Sequence, residues 1–251
     1  MEKLENNITN KEQQNSALKM LHAKILENKK NQNYEFILTF LINCALKIIN
    51  TNDKSFIYET ALSYAKYFSY VLPSLDNIKN IKEFLEQNKC PQILEIGSGM
   101  GLWATLLRRK EMQIIATDIE VKDTYTEVKQ INCGDAIEKY KSCCLFLCWP
   151  DKETIDSESL KKFKGNFIIY IGKSKGLETG NDGFFEELDN NWKLQKQEDV
   201  PVDWNLAPGK TCIYYYIRDY GGAEESKSDG KKIKRRSKKI SKRRSKKSNN
   251  H

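Results

Sequence analysis

The chain has 251 residues, 39% of them hydrophobic and 10% aromatic, enough for one domain of ordinary size with extensions. That composition excludes a chain disordered throughout and any collagen-like or mucin-like polymer. Residues 221–251 hold 13 Lys/Arg against 3 Asp/Glu, a net of +10, so the other 220 residues carry −2 of the overall +8. A near-neutral body and a strongly basic tail therefore need separate explanations.

The first residues, Met1 to Lys11, are polar, with no basic stretch leading into an apolar one, so no secretory signal is expected. Residues 12–90 read as helical. Leu18, Leu21 and Ile25 share one face. After an Asn- and Lys-rich loop, Tyr34 to Ile49 forms the most apolar helix; it is short for a bilayer crossing, and Asn43 and Lys47 interrupt it, so it reads as buried. Asn52 or Asp53 caps a helix holding Ile57, Ala61, Ala65 and Phe68. Leu72-Pro73-Ser74 breaks it, and a short helix with Ile78, Ile81 and Leu85 leads to Cys90-Pro91.

From Pro91 the period changes. Gln92–Ile96 reads as a strand, Leu102–Arg109 as a helix, Gln113–Asp118 as a second strand and Val128–Asn132 as a third. Cys144–Cys148 and Asn166–Ile171 are the fourth and fifth, separated by a helix from Ser157 to Phe163. Phe184–Leu188 looks helical. Trp192–Gln197 and Thr211–Arg218 are two last strands joined by a turn at Pro208-Gly209, with no helix between them, so they can pair antiparallel. The expected body is an α/β three-layer sandwich: a seven-stranded, mostly parallel, Rossmann-like sheet with an antiparallel last strand. The expected division is a helical extension over 1–90, a nucleotide-type binding domain over 91–220, and a disordered basic tail over 221–251.

Seven cysteines with no CxxC spacing read as reduced core thiols of an intracellular chain, nuclear or cytoplasmic. Cys143, Cys144 and Cys148 alternate across a strand and do not converge on a metal. Asn7-Ile8-Thr9 matches a glycosylation acceptor that only a secreted chain would use.

The chemistry-bearing segment is Glu95-Ile96-Gly97-Ser98-Gly99-Met100-Gly101-Leu102-Trp103. A strand runs into a glycine turn that opens a helix, where doubly wound folds bind ligands. A dinucleotide site wants G-x-G-x-x-G, and Leu102 stands at the third glycine position. Asp118, ending the second strand, is placed to accept hydrogen bonds from ribose hydroxyls in either cofactor class, with Glu120 as the fallback.

An acidic residue two before G-x-G-x-G resembles motif I of class I S-adenosyl-L-methionine (SAM) methyltransferases. The resemblance implies that Glu95, Gly97, Ser98, Gly99, Gly101, Trp103 and Asp118 hold SAM, and that Asp135, in Gly134-Asp135-Ala136, contacts the adenine. On the residues alone, Asp135 reads equally as a helix cap, and Trp103 as plain core. The likeness runs over about Tyr67 to Arg218. Tyr67–Ser74, Gly101-Leu102-Trp103-Ala104, Leu147-Cys148-Trp149-Pro150, Ile169–Gly172 and Thr179–Asp182 are similar to a methyltransferase-like group with YAWAVP, GYWA and WPP motifs. This chain has Leu102 and Asp151 where that group has tyrosine and a second proline.

Cys148-Trp149-Pro150-Asp151 stands where nucleic-acid amino-methylating enzymes carry (D/N)-P-P-(Y/F/W). A cysteine replaces the amine-holding acceptor poorly, but Trp149, with Pro150, can bind a planar substrate. Methyl transfer is chiefly a matter of alignment. With histidine only at 22 and 251, both outside the expected core, the candidate base is Asp151, ahead of Glu153 and Asp203. The tail repeats Lys-Arg-Arg-Ser-Lys-Lys at 234–239 and 242–247, the pattern of an RNA or DNA contact or of a nuclear address. The first expectation is a SAM-dependent methyltransferase, with nucleic acid or ribonucleoprotein as the favoured acceptor and no membrane partner. The alternatives are a non-catalytic scaffold or nucleic-acid-binding module on the same fold, and a nicotinamide-dependent oxidoreductase.

Overall fold

The computed structural model describes residues 11–27, 29, 32–155, 157–175, 177–206 and 208–220. The basic tail and Asn7-Ile8-Thr9 lie outside them. Among the described residues four helices come first: α1 (Lys11–Glu27), α2 (Tyr34–Ile49), α3 (Lys54–Tyr67) and α4 (Leu75–Gln87). Their starts are written in the sequence. Asn33 accepts from the Phe36 N–H at 3.1 Å, Asp53 from that of Phe56 at 3.0 Å, and Ser74 and Asn77 form a reciprocal capping box. Such caps contribute about 1 kcal/mol each. Of the two candidate caps before α3, Asp53 is the one used. That helix stops at Tyr67, one residue before Phe68.

The sheet then alternates with helices: β1 (Gln92–Ile96), α5 (Leu102–Arg109), β2 (Gln113–Asp118), β3 (Lys129–Gln130), α6 (Cys133–Lys139), β4 (Cys144–Cys148), α7 (Ser157–Lys162), β5 (Phe167–Gly172), α8 (Asp182–Asn191), β6 (Trp192–Asp199) and β7 (Cys212–Arg218). The strand order is β3-β2-β1-β4-β5-β7-β6, with β7 antiparallel to both neighbours and the other pairings parallel. This is the expected three-layer, Rossmann-like sheet.

Side-chain alternation along the strands divides the core in two. Ile93, Cys144, Phe146, Ile169 and Ile213 face one side, where they join α1–α5 in a single apolar cluster. Leu94, Ile96, Leu145, Leu147 and Ile168 face the other, against α6–α8. The N-terminal helices are thus a packing layer on the sheet. α2 buries one face there, with Ile37, Leu38, Leu41, Ala45 and Ile48, while Phe36 and Leu46 stay exposed. Among the described residues no helix is long and apolar enough to cross a membrane.

Three expectations need correction. The link between β6 and β7 is a long loop, 200–211, that folds back with Val202 and Trp204 buried; the Pro208-Gly209 turn is only its end. Cys90 and Cys143 are not separate thiols but a disulfide, Cα–Cα 5.7 Å, because they stand side by side just before the paired strands β1 and β4. His22 is buried, not peripheral: its Nδ1 lies 2.7 Å from the Tyr125 hydroxyl, which in turn donates to the Tyr67 carbonyl.

Candidate functional site

β1 ends in the glycine turn. Gly97, Gly99 and Gly101 take φ of +68°, +53° and +74°, a region that side-chain-bearing residues avoid. Gly101 is needed twice over, because a Cβ there would approach Thr126 Cγ2 to 3.1 Å and Val128 Cγ2 to 3.2 Å. The turn is tied across to β2: the Ser98 N–H donates to the Thr117 carbonyl at 3.0 Å, and the Gly99 N–H to Asp118 Oδ2 at 2.7 Å. Asp118 Oδ1 accepts from the Glu120 N–H at 3.0 Å. The carboxylate at the end of β2 is thus oriented before any ligand arrives.

Beside this turn, at the carboxyl ends of the parallel strands, lies a cleft of about 580 Å³. Gly97, Asp118, Asn132, Gly134, Trp149 and Asp151 line it, with Ile119, Glu153 and Thr154. Ile119 is 68% exposed, so it offers the cleft a naked apolar face. Of the main six, the sequence points to Gly97, Asp118, Trp149 and Asp151, and to Gly134 only as the neighbour of Asp135. Asn132, expected to end the third strand, instead caps α6, its side chain accepting from the Asp135 N–H at 2.9 Å.

Several expected cofactor contacts sit elsewhere. Trp103 is buried in the core, where its Nε1 donates to the Val71 carbonyl at 3.0 Å. Asp135 points back to Asn132, accepting from its Nδ2 at 2.7 Å, because it occupies the first turn of α6. Ser98 lies under the turn, and its Oγ is buried without a partner.

Glu95 is the most unusual group. It is 2% exposed, and its Oε2 has no hydrogen-bond partner. Burial pushes its carboxyl up to about 8; the nearby Arg108 opposes this and the Asp118 charge adds to it. A buried acid of this kind keeps its proton near neutral pH, and its partnerless oxygen costs an unmade hydrogen bond.

The far side of the cleft is the turn after β4. Trp149 has φ +53°, unusual for a side-chain-bearing residue and more so before a proline. Its N–H donates to the Ile171 carbonyl at 2.7 Å, and the Pro150 carbonyl accepts from Gly180 at 3.0 Å. Asp151 builds the turn: Oδ1 accepts from the Glu153 and Thr154 N–H groups at 3.0 and 2.6 Å and from the Thr154 hydroxyl at 2.7 Å. Burial pushes the Cys148 thiol up to about 12, so it stays protonated. Among the described residues no group of three or more His, Cys, Asp or Glu is placed to hold a metal ion.

The sequence matches no protein-family profile, and no curated protein matches it in sequence. Among solved structures the chain is similar to a SAM-dependent methyltransferase from Clostridium acetobutylicum, at 12% identity and a TM-score of 0.44, over 64% of this chain and 98% of that one. It is similar to TehB from Haemophilus influenzae at 10% identity and a TM-score of 0.40, over 62% and 66% of the two chains. It is also similar to a 1,6-didemethyltoxoflavin-N1-methyltransferase from Burkholderia thailandensis at 8% identity and a TM-score of 0.40, over 56% and 77%.

Proposed function

We propose that the protein is a SAM-dependent methyltransferase. The observation that carries this reading is Gly97 of the glycine turn and the Asp118 carboxylate meeting at one cleft, with Glu95 buried in β1 just before the turn and its Oε2 without a partner. The donor set fits a cationic nucleoside. Asp118, Asp151 and Glu153 surround the cleft with negative charge, which favours a sulfonium and an ammonium and repels a pyrophosphate. Leu102, where a dinucleotide turn wants its third glycine, is buried in the core.

When bound, SAM supplies an electrophilic methyl group on a sulfonium centre. The chain's part is to bind, orient and exclude water. Asp118 would accept from the ribose hydroxyls, and Ile119 would cover one face of the adenine. Asn132 and Gly134 would border its edge. Glu95, neutral in a site without a cation, would ionise against the ammonium, and its raised pKa makes that response available near neutral pH. Trp149 and Pro150 would fix the acceptor side. Asp151 would be the candidate to take the acceptor's proton, while its Oδ1 holds the turn in register.

The +10 of residues 221–251 favours a nucleic acid or ribonucleoprotein acceptor, because such a stretch binds phosphates without regard to sequence. The test is transfer of a labelled methyl group from SAM into cell extract, fractionated into RNA, DNA, protein and small molecules. Label in one fraction, lost with Asp118→Ala, supports the reading. SAM binding with no label in any fraction would leave a binding or scaffold module in its place.

A further inference from the structure

We propose that a second cavity, on the other side of Trp149, is the acceptor site, and that it takes a single unpaired nucleobase. This rests on reading the larger cleft as the seat of the methyl donor. The second cavity is about 250 Å³ and is lined by Tyr58, Tyr70, Trp149, Lys173, Asp203 and Trp204, among others. Trp149 lines both cavities, so they adjoin at one indole ring.

The walls are built to stack. The rings of Tyr70 and Trp149 lie nearly parallel, 13° apart with centroids at 5.9 Å. That spacing is an offset stack, too close to admit a ring between them, so a ligand extends the stack by one member. Tyr70 stays 44% exposed. Trp204 stands at the side, its Nε1 donating to the Tyr70 carbonyl at 3.2 Å and its ring set edge-on against Tyr64 at 5.0 Å. The left-handed backbone of Trp149 places its ring here at a conformational cost, as at sites where geometry serves a ligand.

Polar groups flank the aromatics. The Lys173 side chain is 2% exposed, with Nζ 3.4 Å from the Pro208 carbonyl and 3.6 Å from Glu178 Oε2. Its backbone is pinned at both ends, the N–H donating to Thr179 Oγ1 at 2.8 Å and the carbonyl accepting from the Tyr170 hydroxyl at 2.7 Å. A fixed ammonium donates to a ring carbonyl or ring nitrogen, and the Glu178 carboxylate accepts from an exocyclic amino group, joined by the lone pair of Asp203 Oδ2 left over from the Thr211 N–H at 3.0 Å. Donor and acceptors around a flat aromatic wall match the edge of a base. Two carboxylates to one ammonium disfavour a bare anion, and the polar rim disfavours an acyl chain. The volume has room for one ring system, so a base must be free or out of its pair.

The test is tryptophan fluorescence of the full chain titrated with each of the four ribonucleosides and with a short single-stranded RNA, with and without S-adenosylhomocysteine. Saturable quenching is expected, reduced about tenfold or more in affinity by Tyr70→Ala and also by Lys173→Met. Neither residue lines the donor cleft, so both variants should bind S-adenosylhomocysteine as the wild type does. Nucleosides that suffice mark a free nucleoside as the source; quenching only by the strand marks a base within RNA. No quenching by any of these, or equal quenching in both variants, overturns the proposal. Failure of S-adenosylhomocysteine to bind the wild type would overturn the donor reading instead, and the ring titration without it still decides this one.

Discussion

The two cavities that meet at Trp149 are assembled in different ways. Among the described residues, those lining the larger cleft all lie between Ile96 and Ser159, at the ends of four neighbouring strands, in the turns after them or on α6 and α7. The acceptor cavity draws on α3, the segment after it, the β4 turn, the start of the β5–α8 loop and the long β6–β7 loop, from Tyr58 to Leu206. The first is a local device, repeated wherever a strand ends in a tight turn above a parallel sheet. The second exists only once the helical layer and the sheet edge have docked.

Substitutions can pull the two apart. Asp118→Ala removes a carboxylate that would receive two ribose hydroxyls, and cofactor affinity should fall about a hundredfold. Thermal-shift titration with S-adenosylhomocysteine reads this directly. Nucleoside quenching by the same variant should be unchanged, since Asp118 does not line the second cavity.

Glu95 gives a pH signature confined to the donor side. Its folded carboxyl holds a proton up to about 8, whereas the ordinary value is 4.5. Between those values unfolding releases that proton, so stability falls as pH rises, with a slope approaching about 1.4 kcal/mol per unit, and levels off above. Urea denaturation at a series of pH values should show the slope in the wild type and lose it in Glu95→Gln. Saturating SAM should flatten it too, by pairing the ionised form with a cation.

The disulfide offers a control at the opposite rim. Cys90 and Cys143 close a separation of 53 residues at the amino ends of β1 and β4, away from both cavities. Cys143→Ser should cost about 2–4 kcal/mol of stability in urea and leave both ligand affinities within twofold of the wild type.

A smaller effect is expected at the turn itself. Gly101→Ala places a Cβ at positive φ against Thr126 and should cost about 1–2 kcal/mol. Calorimetric melting should show the loss. The affinity for S-adenosylhomocysteine should drop with it, and nucleoside quenching should persist.

The same contrast explains what the sequence revealed. The strands were legible because short, nearly continuous apolar runs, buried on both faces, ended near glycine, asparagine or proline, and Asp118 was legible because a strand's last residue sits at the ligand end of such sheets. Residue type alone did not separate Trp103 and Asp135 from the cofactor's contacts. Which way a helix-start tryptophan turns depends on the Val71 carbonyl it finds, and the Asp135 carboxylate answers to Asn132, three residues back. Asn132 itself was expected to end the third strand, and it caps α6 instead. Tyr70 carried a signal only through the Tyr67–Ser74 likeness, and Lys173 and Trp204 carried none: the three are far apart in the chain, and the loop that brings Trp204 over Tyr70 reads as a simple turn until Val202 and Trp204 are seen buried. The pairing of Cys90 with Cys143 was hidden for the same reason, because only strand register sets those two positions side by side.

The central claim is that the Gly97–Gly101 turn and Asp118 hold a cationic nucleoside. Isothermal titration of the full chain with SAM, and separately with NAD, tests it most directly. A single saturable site for SAM, lost in Asp118→Ala, with no heat from NAD, is the result this account predicts. Saturable binding of NAD, or a SAM titration as flat as the buffer blank, would contradict it.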